Sequence, residues 1–172
     1  NALIFGAAGN DNIEQAHYPS SYEDMISVTA LGQNNSWNHW ATYHQTVDIA
    51  SPGESIQSCV NNGNGYSSWN GTSMATPVAA SVAGLMKSLY PTWDREQIGT
   101  MIIATANPII YDQNPESYLI GRLGSGRVDA LNAIITPLFP KIQLTETDIY
   151  IKSYKTDTFL GINSNGKLIV DK

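Results

Sequence analysis

The chain has 172 residues, of which 42% are hydrophobic, and this is enough for one domain with a sizeable core. No apolar run is long enough to cross a bilayer, so we expect no membrane partner. The net charge is -6, and residues 1–86 contain acidic residues but neither Lys nor Arg. Because such a surface repels phosphate, we also expect no nucleic-acid partner.

Two buried strands are predicted near the start of the chain. The apolar run 2–5 breaks into a Gly/Asn loop, which is typical of a parallel-sheet strand that ends at a ligand-binding edge. Asn10 lies in this loop and is a candidate site residue, although a turn asparagine with positive φ is the alternative. The polar and aromatic loop 17–22 then leads into the second strand, residues 25–30.

Short strands and loops are predicted to alternate in the middle of the chain. Residues 33–46 have no period and indicate a surface loop, whereas residues 47–50 and 56–60 indicate a third strand and a shorter fourth. Residues 61–68 are rich in Gly and Asn and favour a hairpin. Cys59 has no second cysteine to pair with, and we expect it to be a small buried hydrophobic residue rather than a reactive thiol.

A long uncharged helix is predicted to begin at about Ser73. No charged side chain occurs between Thr72 and Met86, and apolar residues cover more than one face, so we expect the helix to be buried on most sides. Unpaired N–H groups and the helix dipole would stabilise an oxyanion that forms beside the Ser73 hydroxyl. The alternative is that Ser73 is only the N-cap of the helix.

The remaining chain predicts two more helices and a β-forming tail. Thr92 is the expected cap of the second helix, which carries acidic residues in its first turn. A short third helix ends at Thr136 and Pro137. The composition then changes, and residues 163–166 predict a hairpin turn. We therefore expect one domain over residues 1–137 and a tail, or the start of an accessory domain, over residues 138–172.

Five segments of the chain resemble the subtilisin-like serine proteases (subtilases). Residues 70–77 read Asn-Gly-Thr-Ser-Met-Ala-Thr-Pro, which resembles the serine signature of that family. Residues 7–10, 17–22, 47–56 and 124–130 also resemble its segments. The resemblance covers about residues 2–135. It implies an α/β fold with a parallel sheet flanked by helices, incomplete at the N-terminal side. The β-rich tail that the composition predicts has no counterpart in the catalytic core of the family.

The resemblance also implies roles for individual residues. Ser73 would be the nucleophile of a serine endopeptidase, and the Asn10 side chain would donate a hydrogen bond to the oxyanion. His17 would lie at the floor of the pocket for the residue before the cleaved bond, although a plain loop histidine is the alternative. The full set of expected substrate-binding residues is Ala7, Ala8, Gly9, His17, Asn70 and Thr72.

The implied partners and location follow from the family. The substrate would be a protein or peptide, and the protein would be extracellular or in the cell envelope. No redox cofactor or catalytic metal is implied. A structural calcium or monovalent cation, bound by the backbone carbonyls of Ser20, Tyr22 and Met25, is an alternative that some relatives suggest.

The aspartate and histidine of a catalytic triad have no matching positions in this sequence. In subtilases both precede the oxyanion asparagine, and His17, His39 and His44 all follow Asn10. We therefore expect a fragment that is inactive without the upstream part of the same catalytic domain, which would be its partner. Two alternatives are a non-catalytic peptide-binding module and, with less support, a general esterase, since no Gly-x-Ser-x-Gly elbow surrounds Ser73.

Overall fold

The computed structural model describes residues 2–61 and 65–136, together with the backbone of four strands between residues 143 and 171. The chain divides into two compact units, Asn1–Ala130 and Leu131–Lys172. Each unit is described separately. The predicted domain boundary after residue 137 remains a prediction.

A three-stranded parallel sheet forms the centre of the first unit. It consists of β1 (Ile4–Ala7), β2 (Met25–Leu31) and β3 (Ile49–Pro52), in that order across the sheet. The middle strand is almost entirely buried, as expected for a parallel strand. The predicted α/β class with a parallel sheet is therefore confirmed, but β1 and β3 both begin two residues later than the apolar runs indicated.

The two outer edges of this sheet differ. Beyond β3, Ala50 donates its N–H to the Gly126 carbonyl at 2.9 Å, and Val128 donates to the Ala50 carbonyl at 2.8 Å. This contact needs glycine at position 124, because its φ is +79° and a Cβ would lie 2.4 Å from the backbone of Asp48. Among the described residues no strand pairs with the outer edge of β1, where Ile4 is 47% exposed.

A separate antiparallel hairpin follows the sheet. Strand β4 (Ile56–Cys59) pairs with β5 (Tyr66–Trp69), with Cys59 opposite Tyr66. The predicted fourth strand and hairpin are confirmed. The expectation that Cys59 is buried is wrong, because β4 pairs only with β5, and its Cys59 side chain is exposed to solvent.

Three α-helices complete the first unit: α1 (Thr72–Leu89), α2 (Arg95–Ala104) and the single-turn α3 (Ile110–Gln113). A fourth helix, α4 (Ala130–Ile135), begins at the last residue of this unit and otherwise belongs to the second. The cap of α2 is Asp94 rather than Thr92, because the Asp94 carboxylate accepts the Gln97 N–H at 2.8 Å. None of the helices in the described part of the chain is long and apolar enough to span a bilayer.

Helix α1 packs on all three strands of the parallel sheet and on α2. Its sheet-facing side is fully or almost fully buried, with Ala75, Ala79 and Met86 each at 0% exposure. Leu85 and Leu89 are 51% and 54% exposed on another side. The expectation that α1 is buried on most sides is therefore wrong, because no described element covers the face that carries these two leucines.

The second unit contains a four-stranded antiparallel sheet. Its strands, in order, are β6 (Gln143–Leu144), β7 (Ile149–Lys152), β8 (Phe159–Ile162) and β9 (Leu168–Asp171). Ile162 pairs with Leu168, which confirms the predicted β-forming tail and the pairing of its last two strands. The predicted turn at residues 163–166 lies outside the described residues.

Candidate active site

Ser73 is the second residue of α1. The helix begins at Thr72, and its N-cap is Gly71, which makes no side-chain capping bond. Ser73 therefore lies in the first turn, as predicted, and the alternative that it is the N-cap is wrong. Its side chain is exposed, and its backbone N–H has no acceptor among the described residues. That N–H is one of the helix-terminal donors that an anion can use.

The Asn10 side chain is held against the start of α1 by Thr72. Asn10 Oδ1 accepts hydrogen bonds from the Thr72 N–H and from Thr72 Oγ1, both at 3.0 Å. Gly9 N–H donates to the same Thr72 Oγ1 at 3.2 Å. With its oxygen engaged, the amide presents Nδ2, which has no partner in the described part of the chain. The alternative of a positive-φ turn applies to Asn12, whose φ is +54°, and not to Asn10.

The free donors of Asn10 and Ser73 border the same small space beside Gly71. A Cβ placed on Gly71 would stand 3.6 Å from the Ser73 nitrogen and 3.8 Å from Asn10 Nδ2. Met74 Sδ lies 3.3 Å from the same point. Gly71 has no side chain that would occupy this space. Two preorganised N–H donors beside a serine hydroxyl are what stabilisation of a tetrahedral oxyanion requires.

The other predicted substrate-binding residues fall into two groups. Ala7, Ala8 and Gly9 lead from the end of β1 to Asn10, and Ala8 is fixed there because its N–H donates to the Val28 carbonyl at 2.9 Å. Ala8 is only 2% exposed, so little more than its backbone could meet a ligand. Asn70 lies between β5 and the N-cap of α1, and its Oδ1 accepts the Ser55 N–H at 2.7 Å.

His17 also reaches this region. A Cβ on Gly9 would stand 3.0 Å from His17 Nδ1, so the imidazole packs against the Gly9 backbone. The two other histidines make different contacts: His44 Nδ1 is 2.9 Å from Thr46 Oγ1, and the His39 ring meets the edge of Trp37 with centroids 5.1 Å apart. Within the described residues, no histidine is hydrogen-bonded to Ser73.

Sequence reasoning missed two features of the site. The first is the role of Thr72 in orienting Asn10, which has no local signal because the two residues are 62 positions apart. The second is a hollow of about 300 Å³ beside Ser73, lined by β4 and by one face of α1. Apolar groups of Ile56, Met74, Pro77 and Val78 contribute to its wall. Ile56 is the first residue of β4, and the predicted hairpin does not indicate that this strand lies beside α1.

The partly buried carboxylate of Asp48 is not part of this site. Burial raises its pKa above 3.8, and the hydrogen bond from the Ser27 N–H at 2.7 Å opposes that shift. Asp48 immediately precedes β3, whereas Gly9 and Asn10 follow the carboxyl end of the parallel strand β1. The carboxylate therefore lies near the amino ends of the parallel strands, whereas Ser73 lies near their carboxyl ends.

One of the three carbonyls in the suggested cation site, that of Tyr22, already accepts a hydrogen bond. The Tyr22 carbonyl accepts the Met25 N–H at 3.0 Å, which uses one of its two lone pairs and leaves the other for a ligand. Within the described residues, no group of three or more His, Cys, Asp or Glu side chains could hold a metal ion. A cation held by the carbonyls of Ser20, Tyr22 and Met25 stays a prediction.

Comparison with known proteins decides the family. The sequence profile described as "Subtilase family" matches residues 1–134. The chain belongs to the subtilase family. It is 39% identical over 125 residues to a "Thermostable alkaline protease" of Halalkalibacterium halodurans, covering 73% of this chain and 34% of that protein. It is 34% identical over 134 residues to the "Halolysin-like extracellular serine protease Nep" of Natrialba magadii, covering 78% of this chain and 23% of that protein.

Solved subtilase structures agree with this fold. The "Prenylagaramide maturation protease PagA" matches with a TM-score of 0.70 and 28% identity, over 78% of this chain and 50% of that one. The "Patellamide maturation protease PatG" matches with a TM-score of 0.71 and 25% identity, over 80% of this chain and 44% of that one. The matched part of this subtilase chain thus corresponds to half or less of each of these two solved chains.

Proposed function

We propose that this subtilase chain carries the nucleophile and the oxyanion donors of a serine endopeptidase. Ser73 Oγ would attack the carbonyl carbon of a peptide bond and form an acyl-enzyme, which water then hydrolyses. The Ser73 N–H and Asn10 Nδ2 would hold the oxygen that becomes negative. The observation that carries this proposal is that the Ser73 nitrogen and Asn10 Nδ2 both lie within 4 Å of one point beside Gly71.

The proposal requires a base and an orienting acid from outside this chain. A serine hydroxyl is a weak nucleophile at neutral pH unless a base removes its proton. No described histidine is bonded to Ser73, and the chain spans about a third or less of the two curated relatives named above. We infer that the catalytic histidine and aspartate belong to the remaining part of the catalytic domain, and that this chain alone is inactive.

That remaining part is the partner we propose, in addition to a protein or peptide substrate. The unpaired edge of β1 and the exposed leucines of α1 are two surfaces that it could cover. A further parallel strand beside β1 would satisfy the free N–H and C=O groups of that edge. An extracellular location is part of the same proposal, supported by the printed name of the Natrialba magadii relative.

A fluorophosphonate probe tests the function directly, because it reacts with an activated serine. We call the protein that contains this chain together with the rest of its catalytic domain the extended protein. We expect it to be labelled at Ser73, as mapped by mass spectrometry of the labelled peptide. The Ser73→Ala variant is the control and should give no labelled peptide. A folded, extended protein that the probe leaves unmodified would contradict the endopeptidase proposal.

A peptide-binding module without catalysis is the second candidate. The observation that favours it is that no described histidine bonds to Ser73. If it is correct, the wild-type extended protein and its Ser73→Ala variant will bind peptides with equal affinity in a fluorescence polarisation assay. Neither protein will cleave these peptides. Cleavage by the wild type alone would exclude this candidate.

A further inference from the structure

A buried threonine holds the backbone on both sides of Asn10. The Thr42 N–H donates to the Gly9 carbonyl at 2.9 Å, and Thr42 Oγ1 accepts the Asp11 N–H at 3.1 Å. The first bond fixes the peptide group that precedes Asn10, and the second fixes the peptide group that follows it. Thr42 is only 1% exposed, so water has little access to its hydroxyl.

These two bonds set the direction in which the Asn10 side chain leaves the backbone. A residue can rotate only about its φ and ψ bonds, which join its Cα to the two flanking peptide groups. When both groups are fixed, the Cα–Cβ bond has little freedom. Such a restraint matters at this position because Gly9, whose φ is +106°, directly precedes Asn10, and glycine rotates more freely than any other residue.

Thr42 is in turn anchored to the parallel sheet. Thr29 lies within β2 at 0% exposure, and its Oγ1 donates to the Thr42 carbonyl at 2.8 Å. The N–H, the carbonyl and the hydroxyl oxygen of Thr42 therefore bond to three different residues, none of which is its neighbour in the sequence. Through these bonds Thr42 connects a buried strand to the loop that carries Asn10.

We propose that Thr42 is a positioning residue for the reaction at Ser73, and that its hydroxyl oxygen keeps Asn10 Nδ2 beside the Ser73 N–H. The inference rests on the proposed endopeptidase function and on the donor role of Asn10. Thr72 orients the amide of Asn10, whereas Thr42 orients the backbone from which this side chain extends. Because the oxyanion forms only during the reaction, a displaced donor should lower kcat and leave KM near its original value.

Thr42→Val tests this role, because valine resembles threonine in shape and keeps both backbone bonds but cannot accept the Asp11 N–H. We expect kcat of the extended protein on one peptide to fall about threefold to tenfold, the range for one net hydrogen bond. Thr42→Ser keeps the hydroxyl and should retain most of the wild-type kcat. Thr105→Val is the matched control and should leave kcat unchanged, since Thr105 is also buried but donates to the Met101 carbonyl at 2.7 Å.

A double-mutant cycle with Asn10→Ala separates positioning from a general structural role. If Thr42 acts through the Asn10 amide, Thr42→Val should have no further effect on kcat once residue 10 is alanine. A valine that lowers kcat by the same factor in both backgrounds, or in neither, would overturn the positioning role. If Thr42→Val does not fold, as judged by urea denaturation, Thr29→Val takes its place in the cycle. That variant removes the bond to the Thr42 carbonyl and should show the same dependence on Asn10.

The outcomes separate this inference from the proposed function. If the wild-type extended protein cleaves the peptide and the fluorophosphonate probe labels Ser73, but the effects of the two substitutions are independent, the role of Thr42 is wrong and the endopeptidase stands. If the wild type neither cleaves the peptide nor is labelled at Ser73, the endopeptidase proposal fails, and the positioning role fails with it.

Discussion

At the scale of single residues, Thr72 decides which end of the Asn10 amide is available. An amide offers one acceptor oxygen and one donor nitrogen, and two donors from Thr72 occupy the oxygen. Thr72 is 0% exposed, so water does not compete for these bonds. The amide nitrogen is consequently directed away from Thr72, toward the space beside Gly71. The asparagine would otherwise have to be oriented by the substrate during each reaction.

The donor role of Asn10 can be separated from its structural role by two substitutions. Asn10→Ala removes both the acceptor for Thr72 and the donor, whereas Asn10→Asp keeps an acceptor for Thr72 and loses the donor. If the amide nitrogen binds the oxyanion, both variants of the extended protease should lose about 10²–10³-fold in kcat, a magnitude that we carry over from subtilisin. Steady-state kinetics on one peptide measure this. Near-normal kcat in Asn10→Asp would contradict the donor role.

At the scale of secondary structure elements, the apolar runs of the sequence predict the helices and strands. They do not predict the contacts between residues that are far apart in the sequence. Helix α1 and strands β1, β2 and β3 follow from uncharged or apolar runs, and they are found within two residues of the predicted starts. The bond between Asn10 and Thr72 joins two such elements, and no local pattern encodes it. The family resemblance supplied the pairing of Asn10 with Ser73, which periodicity alone does not contain.

Three smaller predictions, on the cap of α2, on Cys59 and on the burial of α1, are wrong for separate reasons. Asp94 and Thr92 are both good N-cap residues, and Asp94 is the cap because Gln97 follows three positions later and completes a capping box. Cys59 was expected in the interior because cysteine is often buried. Its strand pairs with β5 alone, which leaves the side chain in solvent. The exposure of Leu85 and Leu89 was missed because an apolar pattern does not reveal which neighbours are present.

Strands β2 and β3 are also joined by a charged side chain. The Asp48 carboxylate accepts the Ser27 N–H at 2.7 Å, and the Asp48 N–H donates to the Ser27 carbonyl at 3.0 Å. These two bonds tie the start of β3 to the middle of β2. The carboxylate is partly buried, and the loss of solvation raises its pKa more than the Ser27 bond lowers it. Its charge therefore opposes folding at neutral pH.

We expect Asp48 to make the stability of the chain depend on pH. The folded state binds the Asp48 proton more tightly than the unfolded state, so wild-type stability should rise relative to Asp48→Asn as the pH falls through the raised pKa. The relative gain should level off below the ordinary value of 3.8. Urea denaturation of the wild type and of Asp48→Asn across this pH range measures the difference between their free energies of unfolding. Because both proteins carry the same other carboxyl groups, the contribution of those groups cancels in this difference.

The sign of this difference is the critical result. A wild type that loses stability relative to Asp48→Asn on acidification would mean that the Ser27 bond outweighs burial. Asp48→Ala provides a second comparison. It removes the acceptor as well as the charge, so it should be less stable than Asp48→Asn at every pH, by about 1–3 kcal/mol for the unpaired Ser27 N–H.

At the scale of the whole molecule, the parallel sheet of the first unit has one outer edge that is covered and one that no described strand covers. The segment around Gly126 covers the outer edge of β3, whereas no described strand covers β1. Leu85 and Leu89 on α1 and Ile4 at the uncovered edge of β1 are each about half exposed. The chain matches half or less of each of the two solved subtilase chains named above.

Leu85→Glu tests whether the rest of the domain covers α1. In the 172-residue chain Leu85 is 51% exposed, so the substitution should change the free energy of unfolding by no more than about 0.5 kcal/mol. In the extended protein the same glutamate would be buried without a partner, and we expect a loss of about 2 kcal/mol or more. Chemical denaturation of both proteins, with and without the substitution, gives the two values. Equal effects in both contexts would argue against a cover on this face.

The distance along the chain between Asn10 and Thr72 has a consequence for biosynthesis. While the ribosome is still adding residues before position 70, the nascent polypeptide already contains the Asn10 amide but lacks Ser73 and both Thr72 groups that orient the amide. The arrangement of Asn10 beside Ser73 can therefore form only after α1 has left the exit tunnel and docked on the sheet. For the endopeptidase that we propose, this order would keep the nascent chain inactive during translation.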